Sequence, residues 1–534
     1  MQPHDMPDCT RSTWTESLVA PDEHLGVLVA AWPREGLERF RQDARWAGPT
    51  AGVLLDVSVE ELRCQLRAEL GLRTPVVTTG HQPEFFHAGV FAKTIAAAEL
   101  AGAAHGDALF VCVDSDLPRT AVLAVPQVTS AGVRRVDVNI PGIDTSVPYE
   151  FQPAVPRGHW LQFFARVGAL YEGYGQSLLG AFARGWLQKE QREVSYVKAM
   201  EAGWAASEAA LGLHGVRPLP VSRLGCTPAF RVFAAHLLLH ARRVAECYNA
   251  AQSAYRVRHR VRAAGRPVPP LRLTSEAVES PMWAVRAGET RRRVFVRWCG
   301  DELELVADSS PLVRLRRADL ERSAWHRQPW PIERAGWQLR PRALTLSTFL
   351  RLLVGDLFIH GIGGARYDEM TEEFVRDFFG LSMSPLLCVS ATLHLPLPHS
   401  RLRWADILAA RRDSRDLRYN PQRHLSNIPH GLVAQRAELV RRSQELAAHD
   451  PQDRTGRRLL FAAIRRVNEQ MLQTDPWAAA KYDERVRVLE EQWRLDRIAL
   501  DREYFYALHA PEALEELSRR LRQRLGLEAG VPLS

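Results

Sequence analysis

The sequence predicts an α/β fold built around a parallel sheet. Two observations lead to this prediction. The segments TPVVTTG, VFAKTIAAAELAGAAHG and ALFVCVDSD read in succession as strand, helix and strand, and a similar pattern resumes near residue 336. Short apolar runs that alternate with helices are typical of parallel sheets whose strands are covered on both faces. A third observation, a long charged region with helical periodicity after residue 430, predicts an appended helical arm.

Length and composition indicate the class of protein. A chain of 534 residues is too long for one ordinary core, so several domains are expected. The content of 46% hydrophobic and 25% charged residues is typical of a globular protein. No apolar run reaches the roughly 18 to 20 residues of a membrane-spanning helix, and the first residues show no secretion signal. We therefore expect a soluble cytoplasmic protein with no membrane partner.

The patterning divides the chain into four segments. Residues 1–154 are the first part of the α/β core, and residues 155–335 are a connecting insertion that is helical and then antiparallel β. Residues 336–429 are the second part of the core. Residues 430–534 are predicted to form a helical coiled coil, because Tyr482, Val486, Leu489 and Trp493 are spaced by four and three.

Individual elements follow from local signals. Residues 23–70, including EHLGVLVAAW, have apolar residues at helical spacing, and TAVLAVPQV and RRVDVNIPG are typical of strands. Met370, Phe374 and Phe378 repeat every four residues, which predicts a helix over 367–379 that ends at Gly380. PLLCVSATLHLPL predicts the strand that follows.

The loop TGHQPEFFHAG is the first candidate site. It leaves a parallel strand and enters a helix, which is where α/β proteins bind ligands. His81 and His87 are candidate acid–base groups, and Gly80, Gln82 and Lys93 are candidate substrate-binding residues. The alternative is that Gly80 and the following proline only form a turn, which the histidines cap.

The string VDSDLPR follows the next predicted strand. Asp114 and Asp116 alternate, so both carboxylates are expected on one face, near the first loop. They are candidate catalytic residues, which could hold a divalent metal or the ammonium or hydroxyl groups of a substrate. Asp-x-Asp is a common string, so it is not specific by itself.

The segment HGIGGARYDEM is predicted to form a strand, a glycine-rich turn and a helix that cradle a ligand. Its candidate substrate-binding residues are His360, Gly361, Gly363, Gly364, Tyr367 and Asp368. The acids in the first turns of the helix favour a sugar or an amine over a polyphosphate. Upstream, Arg340 and Arg342 can pair with a substrate carboxylate.

Motifs for cofactors are not recognised. The glycine segment is neither a Walker A sequence nor a dinucleotide fingerprint, and no ATP or metal motif is recognised, so the cofactor stays unknown. The seven cysteines are scattered and form no Cys-x-x-Cys pair. The net charge of +8 permits an acidic partner, but no nucleic-acid motif appears, so nucleic acid is not the expected partner.

Taken in order, these motifs resemble the cysteine-adding enzyme family of bacillithiol synthesis. The family has a Gly-Gln-Gln loop after an early strand, an acid-rich string after the next strand, a Leu-Arg-Pro segment, a Gly-Gly loop followed by Tyr, and a C-terminal coiled coil. The counterparts here are TGHQPEFFHAG, VCVDSDLP, LRPR at 339–342, GIGGARYD and residues 430–525. The His-Gln-Pro string also resembles the WbqC-like sugar-biosynthesis family. His81 replaces the first Gln of the family loop, and CVDSD lacks the His of the acidic string.

The resemblance implies a Rossmann-like core, a homodimer formed through the coiled coil, and a ligase that joins an amino acid to an amino-sugar conjugate. The departures from the family pattern leave room for a different substrate. We therefore expect a ligase- or transferase-type enzyme whose partner is a small polar metabolite. The alternatives are a non-catalytic metabolite-binding or scaffold protein of the same fold, and a nucleic-acid binder that uses the arginine-rich helical arm.

Overall fold

A computed structural model describes residues 24–32, 40, 52–130, 132–171, 177–187, 192–263, 268–307, 310–316, 320, 330–400 and 402–527. The chain divides into two units. The first comprises the described residues within 1–127, 135–396 and 502–534, and the second those within 128–134 and 397–501. These units group residues by packing, whereas the four predicted segments divide the chain by sequence pattern, so the predicted boundaries stay a prediction.

The strands are β1 (Leu25–Trp32), β2 (Val53–Leu54), β3 (Val57–Ser58), β4 (Val76–His81), β5 (Asp107–Cys112), β6 (Val122–Thr129), β7 (Gly132–Asn139), β8 (Val155–Pro156), β9 (Glu193–Val194), β10 (Val216–Pro220), β11 (Val278–Val285), β12 (Arg292–Cys299), β13 (Glu302–Ala307), β14 (Ser310–Arg316), β15 (Gln338–Pro341), β16 (Leu357–His360) and β17 (Leu386–Leu393).

The α-helices are α1 (Val59–Leu70), α2 (Ala88–Ala103), α3 (Arg157–Tyr171), α4 (Leu179–Trp186), α5 (Tyr196–Ala210), α6 (Val221–Leu224), α7 (Pro228–Leu239), α8 (Ala241–Arg258), α9 (Pro331–Arg334), α10 (Ala343–Phe349), α11 (Ile362–Phe379), α12 (Trp404–Tyr419), α13 (His430–His449), α14 (Arg454–Leu472), α15 (Ala478–Ala499) and α16 (Pro511–Leu525). A π-helical turn, Leu350–Val354, follows α10.

The main sheet of the first unit has the strand order β1-β17-β16-β4-β5-β10 among the described residues. Strands β17, β16, β4, β5 and β10 are parallel, and β1 alone is antiparallel to its neighbour. The prediction of a mixed α/β protein with a parallel sheet is confirmed. The chain crosses over through helices such as α2, which packs on β4, β5 and β17, and this brings the carboxyl ends of β16, β4 and β5 to one edge.

The prediction of helix for EHLGVLVAAW was wrong. Residues Leu25–Trp32 form β1, which pairs along its whole length with β17. A short apolar run is compatible with a buried helix or a buried strand, and here the open edge of β17 supplies the backbone partners. The prediction of helix is correct for α1, which begins at an N-cap serine and ends at Gly71. Residues 33–39 and 41–51 of this prediction lie outside the described residues.

A second sheet of the first unit is antiparallel, with the order β14-β13-β12-β11-β15. Strands β11, β12 and β13 of this sheet were predicted to be antiparallel, and they are. The Leu-Arg-Pro segment forms β15, and Met282 to Val285 of β11 pair with Pro341 to Gln338 of β15. This pairing places Arg340 opposite Trp283 of β11, a strand that lies far from it in sequence.

The second unit consists mainly of α12 to α15. The predicted seam residues Tyr482 and Trp493 pack within the chain, against His424 and Trp404, with ring centroids 5.5 and 4.8 Å apart. Asp496, which follows the predicted seam residues in the same helix, is buried and accepts a hydrogen bond of 3.0 Å from the Ser400 N–H. Within the described part of the chain, no helix combines the length and the apolar character needed to cross a membrane.

Candidate functional site

A cavity of about 380 Å³ lies in the first unit, at the carboxyl ends of β16, β4 and β5. Strands β11 and β12 and helix α10 form its other walls. Five of the predicted site residues line this cavity, namely Gly80, Gln82, Asp116, Arg342 and His360. Its position agrees with the rule that parallel sheets bind ligands beyond the carboxyl ends of their strands.

The first predicted loop supplies one wall of the cavity through Gly80 and Gln82. The Gln82 side-chain amide donates a hydrogen bond of 2.9 Å to Asp116 Oδ2, which ties this loop to the end of β5. The two phenylalanines of the loop point elsewhere. Phe85 contacts Trp186 with ring centroids 5.6 Å apart, and Phe86 contacts Trp204 at 5.4 Å. These aromatic contacts hold the loop to helices α4 and α5, so the motif is partly an anchor.

The structure does not bring His81 or His87 to the cavity. His81 Nδ1 lies 3.1 Å from the Gln82 carbonyl oxygen. Burial and, second, the nearby Lys93 ammonium lower the pKa of His81 to about 3. His87 is the N-cap of α2 and accepts a hydrogen bond of 3.0 Å from the Gly89 N–H. Burial lowers its pKa to about 3 as well. Both positions agree with the alternative in which the histidines cap the turn instead of binding a ligand.

Lys93 was predicted to face a ligand from inside α2. Its ammonium is buried and donates a hydrogen bond of 2.7 Å to the Gly80 carbonyl oxygen, so it holds the end of β4. Burial lowers the pKa of Lys93 to about 8. Lys93 therefore acts on the cavity wall through the backbone of Gly80, without being part of the lining itself.

Asp114 and Asp116 follow β5 in a turn, and their side chains have different partners. The expectation that both face the same site was wrong, because the chain leaves the strand after Cys112. Asp114 is buried and accepts hydrogen bonds from the backbone N–H, at 2.9 Å, and the hydroxyl of Ser222. Burial raises its pKa. Asp116 alone lines the cavity. Among the described residues, no cluster of His, Cys, Asp and Glu is arranged to hold a metal ion.

Of the two arginines predicted to bind a substrate, one lines the cavity and the other does not. Arg340 is buried and pairs with Glu150 through two hydrogen bonds, of 3.1 and 2.8 Å, so it does not line the cavity. Arg342 lines the cavity, and its Nη1 donates a hydrogen bond of 2.7 Å to Glu279 Oε1. Glu279 is fully buried, so it fixes the guanidinium of Arg342 at the cavity wall.

Trp283, Arg291 and Arg293 line the opposite wall, and they were not among the predicted site residues. The guanidinium carbons of Arg291 and Arg342 lie 4.6 and 4.7 Å from the Trp283 ring centroid. Arg291 also forms an ion pair with Asp116. The available signal was the string TRRRVF next to a predicted turn, since alternate residues of a strand share one face.

The glycine-rich segment is a helix start instead of a turn. β16 ends at His360, Gly361 is the N-cap, and Gly363 and Gly364 already belong to α11. The helix was therefore predicted five residues too late, although its end at Gly380 in the left-handed conformation is confirmed. His360 lines the cavity, whereas the three glycines do not, and Tyr367 is exposed.

His360 has a carboxylate behind it. Its Nε2 lies 3.7 Å from Oδ1 of Asp368, which is buried in the first turns of α11. Arg351 forms an ion pair with the other oxygen of Asp368, so this carboxylate is held from both sides. Burial lowers the pKa of His360, and Asp368 partly opposes that shift. His360 is thus a neutral imidazole at neutral pH, and it can accept a proton.

The lining of the cavity suits an organic anion. Arg291, Arg293 and Arg342 supply positive charge, and Asp116 is its only carboxylate among the described residues. A guanidinium has five N–H donors, so arginines that are fixed by one carboxylate keep donors for a second anion. Comparison of the chain with protein-family models gives no match, and comparison with curated proteins gives none either.

Proposed function

We propose that this chain is a cytoplasmic enzyme that binds a small organic anion in the cavity and uses it in a ligase- or transferase-type reaction. The observation that carries the proposal is the wall formed by Trp283 with Arg291 and Arg342 against it. This wall offers guanidinium donors for a carboxylate or phosphate and an aromatic face for the rest of the ligand.

In this proposal His360 is the acid–base group, in place of His81 and His87. Formation of an amide joins an amine nitrogen to an activated acyl carbon. The amine loses a proton, and the leaving group of the acyl donor departs. His360 takes that proton, because it is the neutral imidazole at the cavity wall, and Asp368 stabilises the imidazolium that results. The activated acyl donor is a substrate of this reaction.

The resemblance to the cysteine-adding family of bacillithiol synthesis supports this class of reaction. It implies that the anion is an amino-sugar conjugate and that the second substrate is an amino acid. The Rossmann-like character of the core and a homodimer through the helical arm are parts of the same proposal. The positions of Gly80, Gln82, Arg342 and His360 on one cavity are compatible with it, because the family motifs contribute these residues.

A non-catalytic metabolite-binding protein of the same fold is the second candidate. It is favoured by the placement of His81 and His87, which lie at the end of β4 and at the N-cap of α2, away from the cavity lining. In this case the arginines and Trp283 bind the ligand, and His360 only donates or accepts a hydrogen bond.

Ligand screening tests the proposal. We expect the thermal midpoint to rise with one member of a panel of carboxylates, sugar phosphates, amino sugars, amino acids, thiols and nucleotides. Arg291→Gln should abolish this rise. Arg292→Gln is the matched control, since Arg292 is the next residue but contacts Trp337 and Glu289, outside the cavity lining. Equal responses of both variants would disprove the proposed site.

Turnover separates the two candidates. With a ligand identified, incubation of the protein with that ligand, amines and acyl phosphates or adenylates should yield an amide product detectable by mass spectrometry. His360→Gln should keep ligand binding and lose at least about 100-fold in rate, which is typical for removal of a general base. Binding without product formation across this substrate panel would favour the non-catalytic candidate.

A further inference from the structure

One face of α14, in the second unit, is strongly basic. Arg454, Arg458, Phe461 and Arg465 advance by four, three and four residues, so they lie along one side of the helix. Arg457 and Arg466 flank this row. We call these six residues the basic face of α14. All six are exposed, and Phe461 keeps 52% of its accessible surface. At 1.5 Å per residue, the row from 454 to 465 is about 16 Å long.

The basic face does not stabilise its own helix. The first turn of α14 contains no acidic residue, although the positive end of the helix dipole lies there and arginines are unfavourable in it. Arg454 and Arg458 are also like charges at i, i+4. Within the described residues, Arg465 is the member of the row that has a carboxylate nearby, Glu469 at 3.6 Å. By contrast, arginines of α15 pair with neighbouring acids, as Arg487 does with Glu484 and Arg494 with Glu491.

The other side of α14 already has a packing partner. The helix packs against α13, and its buried Val467 and Met471 lie on the side away from Arg454, Arg458 and Arg465, whereas the buried Asn468 continues the line of Arg454 and Phe461 beyond the basic face. The exposed Phe461 therefore belongs to the outer surface. An exposed aromatic ring within a row of arginines, of which Arg465 alone has a carboxylate nearby among the described residues, suits a partner that carries both negative charge and planar groups.

We propose that the basic face of α14 binds single-stranded nucleic acid. Guanidinium groups at about one per helical turn contact successive phosphates, and Phe461 provides a surface on which a base stacks. A second copy of this chain fits less well, because a symmetric contact would bring identical arginine rows together. An acidic peptide would satisfy the charge but leaves the aromatic ring without a specific role. The proposal is independent of the function proposed for the cavity.

Fluorescence anisotropy with the full chain and a labelled mixed-sequence single-stranded RNA, and in parallel a DNA of the same sequence, tests the proposal. Between about 50 and 200 mM salt, we expect the logarithm of the binding constant to fall with a slope near −3, as for about four phosphate contacts. The triple variant Arg454→Gln, Arg458→Gln and Arg465→Gln should reduce the slope by about 2. Phe461→Ala should weaken binding about tenfold with the slope unchanged.

The matched control is the triple variant Arg485→Gln, Arg487→Gln and Arg494→Gln on α15. It removes the same charge from arginines that lie near acids, at Asp413, Glu484 and Glu491. Circular dichroism checks that both triple variants are folded. The proposal is wrong if the control weakens binding as much as the α14 variant, or if neither RNA nor DNA binds at 50 mM salt. Equal competition by polyglutamate, with no effect of Phe461→Ala, would assign the face to acidic proteins.

Discussion

Gly364 lies against the ring of His360, and a Cβ at position 364 would overlap with Nδ1 of that ring. His360 is the last residue of β16, Gly364 lies in the first turn of α11, and His360 is the histidine of the cavity lining. The absence of a side chain at Gly364 therefore decides where the imidazole can lie.

Gly364→Ala is expected to displace His360 and to lower the rate of the proposed reaction, in which His360 is the base. Gly363→Ala is the control, because an added Cβ there meets no atom within 4 Å. Alanine is the better helix former, so Gly363→Ala should raise the free energy of unfolding by about 0.5 to 1 kcal/mol. Gly364→Ala should lack this gain. Chemical denaturation and turnover measurements on both variants give the difference, and equal rates in both would contradict the role assigned to Gly364.

Two residues of the first loop should affect different properties: Phe86 the stability of the fold, and Gln82 the binding of a ligand. Phe86→Ala removes a buried ring that stacks on Trp204 and Tyr506, and it should cost about 3 to 5 kcal/mol of unfolding free energy. Gln82→Ala removes one hydrogen bond at the cavity wall and should cost only about 1 kcal/mol. Ligand binding should suffer in Gln82→Ala. Urea unfolding together with thermal-shift titration tests both, and a large loss of stability in Gln82→Ala would count against its placement.

Glu279 should be important for stability because it is a fully buried carboxylate. Glu279→Ala leaves Arg342 without its partner and should lower the unfolding free energy by about 3 to 5 kcal/mol. Glu289→Ala, which removes the partner of Arg286 and Arg292 on the protein surface, should lower the unfolding free energy much less, because water screens an exposed ion pair. Equilibrium denaturation gives both values. Similar losses in the two variants would show that Glu279 does not hold Arg342 as described.

Acid should destabilise the fold through His87. The pKa of this residue is about 3 in the folded chain and 6.5 in the unfolded chain, so between these values only the unfolded chain takes up the proton. The free energy of unfolding therefore falls as the pH decreases from 6.5 towards 3, by up to about 1.4 kcal/mol per pH unit for this group.

His87→Asn should reduce that dependence. Asparagine also serves as an N-cap, so α2 should keep its start while the titrating group is removed. Denaturation curves at pH 7.5, 6 and 5 compare the variant with the wild type. An unchanged pH dependence would show that His87 is protonated in the folded protein. His105→Asn, at an exposed histidine, is the control and should leave the pH dependence as it is in the wild type.

Local patterning predicted much of the central sheet. The β-branched run before Gly80 forms β4, and the alanine-rich run after His87 forms α2. The end of α11 at Gly380 was predictable because a left-handed residue there favours glycine. The start of α11 was not, since the three glycines argued for a loop. A Cβ added at Gly361 or Gly363 would meet no close neighbour, whereas the absence of a Cβ at Gly364 is needed for the packing of His360.

The candidate site was only half predictable for a similar reason. Sequence order indicates which residues follow the strands of a parallel sheet, so Gly80, Gln82, Asp116 and His360 were found. It does not indicate which of two neighbouring residues turns inward, and thus His81 and Asp114 were grouped with the cavity although their side chains bond elsewhere. Sequence order also does not indicate that an antiparallel sheet lies beside the carboxyl edge of the parallel sheet.

The α/β class, the strand–loop–helix units and the helical character of residues after 430 could be predicted from local patterns, because these depend on contacts between residues close along the chain. That Leu25–Trp32 is a strand could not, because it depends on the open edge that β17 offers. Only the tertiary structure brought Trp283 and Arg291 to the carboxyl ends of β4 and β5, through the pairing of β11 with β15. Contacts between distant segments depend on packing and burial, which periodicity along one segment does not encode.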